Sequence, residues 1–208
     1  VNVGAQWNIG TGNDNLPAYS YNNTGKADGF SLNAVKLTIE KPLDESQWAA
    51  GYRVDLMFGP DADTFGTTAN FMNRRGSSDS DNFAVRQAYV ALRTPVGNGL
   101  DWKVGVFDTI VGYESHDAGN NPNYTRSYGW SIEPTTHTGL LASYRVNDMV
   151  KVQGGIANTI GPQINQQAWG ASGYQKAESF KSYLGSVEVT APDSMGVLAG
   201  STLYGGVV

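Results

Sequence analysis

The chain has 208 residues, of which 26 are Gly, 11 Tyr and 8 Pro, with no Cys and a formal net charge of −5. The lack of Cys excludes disulfides and thiolate metal sites, and an isoelectric point near 4.9 argues against nucleic acid as a partner. No run of about 18 apolar residues occurs, which excludes membrane-spanning helices but leaves spanning strands open, because in a strand only alternate residues face lipid.

The length suits one domain, residues 1–208, with no linker-like segment. A Gly- and Tyr-rich composition suits many strands joined by tight turns. The first predicted strand covers residues 1–9, with Val1, Val3, Ala5, Trp7 and Ile9 opposing Asn2, Gly4, Gln6 and Asn8. A polar loop follows to about residue 29. In the second strand Val35, Leu37 and Ile39 alternate with Lys36, Thr38 and Glu40, and residues 42–45 turn the chain.

Residues 47–59 form the clearest stretch. Trp48, Ala50, Tyr52, Val54, Leu56 and Phe58 share one face, and Gln47, Ala49, Gly51, Arg53, Asp55, Met57 and Gly59 the other. A period of two specifies a strand. The stretch exceeds the roughly 5 to 6 residues of a soluble strand and meets the 9 to 11 or so that a tilted membrane strand needs. Its polar face carries Arg53 and Asp55, charges that a packed core excludes unless they are paired. Lipid on one side and water on the other accounts for both faces.

A long acidic stretch, residues 60–82, precedes a strand in which Ala88, Val90 and Leu92 alternate with Gln87, Tyr89 and Arg93. Residues 95–99 turn the chain into Leu100, Trp102, Val104 and Val106, which oppose Asp101, Lys103, Gly105 and Phe107. The longest loop, residues 109–135, comes next. Thr138, Leu140, Ala142 and Tyr144 then oppose His137, Gly139, Leu141, Ser143 and Arg145. Beyond a tight turn at Asn147 and Asp148, Val150, Val152, Gly154 and Ile156 face away from Lys151, Gln153, Gly155 and Ala157. A loop over residues 159–178 leads to Tyr183, Gly185, Val187 and Val189, with Glu188 on the opposite face. Residues 192–196 turn the chain into a last strand toward Val208.

Connections that run long, short, long and short predict an all-β fold, an antiparallel transmembrane β-barrel with short turns at the periplasmic rim and long loops outside. Trp48, Trp102 and Tyr144 all fall near short turns, where an interfacial aromatic belt belongs. A soluble sandwich or lectin shares the strand spacing but buries one face against a second sheet and needs no such alternation. About nine strands are visible, whereas bacterial single-chain barrels have an even number. The expectation is an N-terminal part of a longer barrel, closed by strands beyond Val208.

Residues 105–144 carry Val106-Phe107-Asp108-Thr109, Gly112-Tyr113-Glu114, Tyr124 through Tyr128, and Glu133-Pro134-Thr135-Thr136-His137-Thr138-Gly139. Together with Gln87-Ala88-Tyr89-Val90 and the Arg53 stretch ending in Phe58-Gly59, this segment resembles the OmpL-like β-barrel porins. The resemblance covers about residues 30–158. It implies a diffusion channel of the outer membrane, with the lipid bilayer and small hydrophilic solutes or ions as its partners, and it brings no catalytic motif and no cofactor. The oligomeric state stays open, a homotrimer being common among porins.

The alternation nominates Lys36, Glu40, Arg53, Asp55, Lys103, Arg145, Lys151 and Glu188 as pore-lining, a mixed-charge lumen whose selectivity depends on the charges at its narrowest level. Pairing across neighbouring strands, which only stiffens the wall, is the competing role for each. Residues 109–135 are the candidate constriction, since long loops usually have a function. Glu114 and Asp117 would form its acidic side and Arg126 its basic side.

Two other chemistries fit the spacing less well. His137 and Ser143 share a face but stand about 20 Å apart along one strand at roughly 3.3 Å per residue, too far for a nucleophile and its base. Asp61, Asp63, Asp79 and Asp81 offer oxygen ligands but lack calcium-loop spacing, so a solvated loop is the expectation. A structural or adhesive barrel, binding a surface partner through Tyr19, Tyr21, Tyr124 and Tyr128, is the alternative to a porin.

Overall fold

Period-two alternation builds nine strands, described here from a computed structural model that places residues 1–6, 29–64, 82–124, 126–158, 160–161, 164 and 181–208. They are β1 (Asn2–Gln6), β2 (Gly29–Lys41), β3 (Ala50–Phe58), β4 (Phe83–Thr94), β5 (Leu100–Asp108), β6 (Thr136–Arg145), β7 (Val150–Ala157), β8 (Ser182–Thr190) and β9 (Thr202–Val207). All pair antiparallel with their sequence neighbours in one sheet of order β1 to β9. Among the described residues β1 pairs only with β2 and β9 only with β8, so the sheet they form is not closed on itself. Two short helices, α1 (Pro60–Thr64) and α2 (Tyr128–Ile132), sit in connections. Among the described residues no helix is long and apolar enough to cross a membrane, which says nothing against spanning strands.

One face of the sheet is apolar and exposed. Leu37 and Ile39 are each 49 % exposed, Val90 61 %, Val104 51 % and Leu203 77 %. They lie on alternating positions of β2, β4, β5 and β9, and no described element covers them. Exposed apolar area on this scale marks a surface that meets something other than water. The opposite face holds the buried residues and the charges, including Asp55, Arg86 and Gln87.

Two strands are longer than the alternation predicts, and for one reason. β2 starts at Gly29 and β4 at Phe83, yet within each the outward residues change phase, from Leu32 to Val35 and from Val85 to Ala88. The register accounts for the jump. Asn2 pairs with Ala34 but Val3 with Leu32, leaving Asn33 extra. Asp55 pairs with Gln87 but Leu56 with Val85, leaving Arg86 extra. Each is a β-bulge, which inserts one residue and re-aims the side chains around it. Asn33 and Arg86 are thereby buried on the inward side, at 0 % and 3 % exposure.

Trp48 departs from expectation. It has φ of 61°, lies in the turn before β3 and is 64 % exposed, so it is not part of the strand's outward row. A Trp at positive φ cannot continue a β ladder. The connection between β8 and β9 is also longer than expected, with a 3-10 segment over Asp193–Leu198. Trp7, Ile9, Tyr19, Tyr21, Asp79, Asp81 and the side chain of Asp63 lie outside the described residues.

Candidate functional site

The inward rows of β2, β3 and β4 converge on Asp55, which is 1 % exposed. The register sets Thr38 opposite Asp55 and Asp55 opposite Gln87, with Glu40 opposite Arg53. Thr38 Oγ1 donates to the Asp55 carboxylate at 2.7 Å, Gln87 Nε2 at 3.0 Å and Arg53 Nε at 3.0 Å. Lys36 Nζ stands 3.4 Å away, and Arg53 also reaches Glu40 at 3.4 Å. A buried carboxylate is tolerated when its lone pairs are filled by donors and its charge is matched, and both conditions hold here.

Residues 109–135 lie across this face. Near their start, Ile110 and Val111 pack on Phe107, Leu141, Ala157, Leu184 and Tyr89. Further on, Asp117 accepts from Lys36 Nζ at 2.8 Å, and the Tyr124 hydroxyl accepts from Asn33 Nδ2 at 2.9 Å. Ser127 caps α2 by accepting from the Trp130 amide, and Trp130 packs on Ala34, Met57, Ala62 and Ala84.

Two glycines record how close the loop comes. A side-chain carbon on Gly206 of β9 would lie 2.8 Å from the Ile110 carbonyl, and one on Gly4 of β1 would lie 2.8 Å from the Tyr124 hydroxyl. The loop therefore touches both ends of the sheet.

Arg86 joins wall and loop. Its Nη2 lies 2.7 Å from Asp108 Oδ1 and 2.6 Å from His116 Nδ1. A guanidinium only donates, so Nδ1 is the acceptor and the ring proton of the neutral imidazole sits on Nε2. Desolvation, with the charges of Arg86, Arg126 and Lys36, holds the His116 pKa well below its ordinary 6.5. The His116 ring meets Trp130 edge-on at 4.7 Å.

The other nominated residues separate into groups. Lys151 faces Glu188 across the β7–β8 ladder at 3.5 Å. Lys103 has its Nζ over the Tyr89 ring at 4.8 Å. Arg145 pairs in register with Lys151, and among the described residues neither Lys103 nor Arg145 has a carboxylate within ion-pair distance.

Two of the three loop charges act within the loop. Glu114 accepts from the Ser127 amide at 3.1 Å and from the Ser127 hydroxyl. Arg126 is 3 % exposed and donates to the carbonyls of Ser115, Tyr124 and His116 at 3.0 to 3.2 Å. Arg126, expected on the basic side of a constriction, is thus held by loop carbonyls, and Asp117 faces Lys36 of the wall.

Trp102 and Tyr144 lie at the short-turn end. Trp102 pairs with Leu92 and Ala142, and Tyr144 with Leu100. Trp102 Nε1 donates to Thr94 Oγ1 at 3.1 Å. His137 is fully buried with Nε2 3.0 Å from Thr109 Oγ1, whereas Ser143 accepts from Gln153 at 2.8 Å, so the two have separate partners. Asp61 is buried in α1. Among the described residues no three potential ligands gather as a metal site.

Asn33, Arg86, Asp108, His116 and Trp130 were not singled out in the sequence. The phase jumps at Leu32 to Val35 and Val85 to Ala88 are the signal that marks the first two.

A family model described as "Putative beta-barrel porin-2, OmpL-like" matches residues 1–207. The chain belongs to this family. No curated protein and no solved structure gives a significant match. The nine-stranded antiparallel sheet agrees with a β-barrel porin. Membership of an OmpL-like family points to a non-enzymatic barrel of the outer membrane, whose general partners are the membrane and small solutes.

Proposed function

We propose that this chain forms the wall and constriction of a passive outer-membrane porin for small hydrophilic solutes or ions. The observation that carries the reading is the division of one sheet into an exposed apolar face and a charged face across which residues 109–135 are docked. Lipid accepts the first face and water the second. Lys36, Glu40, Arg53, Asp55, Lys103, Arg145, Lys151 and Glu188 line the lumen in this reading, and Asp117, held by Lys36, lies at the level where the loop narrows it. Trp48, Trp102 and Tyr144 anchor the short-turn rim in the membrane interface.

Open edges do not persist in lipid. In this reading further strands pair with β9 and β1 to close the barrel. A trimer is compatible with this arrangement, and crosslinking in native membranes measures it.

The test is conductance of the detergent-purified, full-length protein in a planar bilayer. Stable ohmic steps support the porin, and an inserted, folded but non-conducting protein refutes it. One observation favours the structural or adhesive alternative: Tyr113, Tyr128 and Ile132 of the loop are 84 %, 76 % and 87 % exposed. Tyr124 is less exposed, at 39 %, and its hydroxyl is held by Asn33. A non-conducting barrel that loses surface binding on Tyr113→Ala or Tyr128→Ala would carry that reading.

A further inference from the structure

The cations of the wall are not equivalent. Lys36, Arg53, Arg86, Arg93 and Lys151 each have a carboxylate at 2.7 to 3.5 Å. Lys103 does not. Its cross-strand neighbours are Ala91 on β4 and Leu141 on β6, so the register gives it no acid to face. Asp101, two residues before it on the same face, is taken by Arg93 at 2.8 Å.

Lys103 lines a recess of about 220 Å³ together with Tyr89, Ser143, Lys151 and Gln153. Glu40 and Asp101 border the same recess, each beside a guanidinium: Arg53, which Glu40 shares with Asp55, and Arg93. Glu188 matches Lys151. Among the described residues two cations of the recess have no carboxylate at ion-pair distance, the exposed Lys41 and the half-buried Lys103, in a space with room for a molecule of a few carbons.

From this arrangement we propose that the Lys103 recess is a subsite for small organic carboxylates, a way-station for anions along the lumen. The inference rests on the porin reading and names a solute class for it. A partly desolvated ammonium without a counter-ion gains from an anion at hydrogen-bond distance. Ser143 Oγ accepts from Gln153 Nε2 at 2.8 Å, which leaves its own hydroxyl hydrogen to donate to the second carboxylate oxygen. The Tyr89 ring holds the ammonium at 4.8 Å from its centroid, and Ala91 and Trp102 give the recess an apolar wall. Weak, reversible capture of this kind concentrates a solute without trapping it.

The probe is succinate, titrated calorimetrically at constant ionic strength into the full-length chain in detergent micelles, beside Lys103→Gln and Lys103→Arg. The expected result is saturable binding that weakens about tenfold in Lys103→Gln, the loss typical of one charge-assisted hydrogen bond, and returns in Lys103→Arg. No saturable binding, or equal binding in Lys103→Gln, overturns the proposal.

As a readout needing no variant, nitrogen resonances of isotope-labelled lysine side chains are followed in the same titration. A succinate-dependent shift of the cation over Tyr89 supports the subsite, and unmoved lysine signals overturn it. Binding does not depend on conduction. A channel that conducts but binds no succinate refutes the subsite alone, and binding by a non-conducting barrel refutes the porin alone.

Discussion

Arg86 Nη2 and His116 Nδ1 meet at 2.6 Å and join a bulged residue of the wall to the loop lying across it. The contact exists only while the imidazole is neutral, because a protonated ring has no lone pair to offer. The charges around it are Arg86 from β4, Lys36 from β2 and Arg126 within the loop, with Asp108 of β5 and Asp117 of the loop opposing them. The cations dominate and the site disfavours a second proton.

This fixes the sign of a pH effect. A released loop titrates His116 near its ordinary 6.5, whereas the docked loop keeps the ring neutral to lower pH. Below about 6.5 the released form binds a proton that the docked form does not, so docking is at full strength above that pH and weakens as pH falls. Protection of the amides of residues 110–130, measured as exchange relative to the intrinsic rate at each pH, should be weaker at about pH 5 than at about pH 7.5, and His116→Gln should remove the difference. Protection that is identical at both pH values in the unmodified protein contradicts the account.

Tyr124→Phe isolates the second attachment. It leaves Asn33 Nδ2, on a residue with 0 % exposure, with Asn2 Oδ1 at 3.3 Å but one N–H without its 2.9 Å acceptor. A buried donor that loses its partner costs about 1–3 kcal/mol. The loop should loosen by that amount while the strands keep theirs, which site-resolved exchange separates. A uniform loss across the sheet would show that the hydroxyl serves the wall rather than the loop.

How legible this was in the sequence depends on which physical signal each residue leaves. Val54 and Leu56 announce their face because alternation is a local property, and the charges Arg53 and Asp55 follow from the same count. Asn33 and Arg86 disturb the count instead. A bulge shifts the phase, so β2 and β4 read as starting only after it, at Val35 and Gln87. The docking of His116, Asp117, Tyr124 and Trp130 depends on contacts distant in the chain, such as Lys36 with Asp117, and no periodicity records those. Nor does a sequence show that three loop carbonyls accept from Arg126.

Asp55 is the hub of the inner wall. Replacing it with Ala removes the acceptor for Thr38, Gln87 and Arg53 together and leaves cations crowded without their anion. The expected loss is about 3–5 kcal/mol, the range for breaking a buried ion pair from one side. Asp55→Asn, which keeps the shape and one acceptor, should cost less. Urea unfolding of the refolded barrel in vesicles measures both, and an Ala variant as stable as the parent would show that the cluster is solvated rather than structural.

The two faces of β5 offer a direct contrast. Val104 is 51 % exposed and lies between Val90 and Leu140, whereas Lys103 beside it points inward. Val104→Arg should cost about 2–4 kcal/mol in a bilayer, as a charge near the midplane does. Lys103→Arg should be close to neutral. The same vesicle unfolding reads both, and equal costs would contradict the assignment of faces.

The central claim is that the charged face lines open water, and single-channel recording of the full-length protein under a salt gradient tests it most directly. The account predicts stable ohmic steps and a reversal potential that Arg53→Glu moves toward cation selectivity. A protein that inserts and folds without conducting, or whose reversal potential ignores Arg53→Glu, would contradict it.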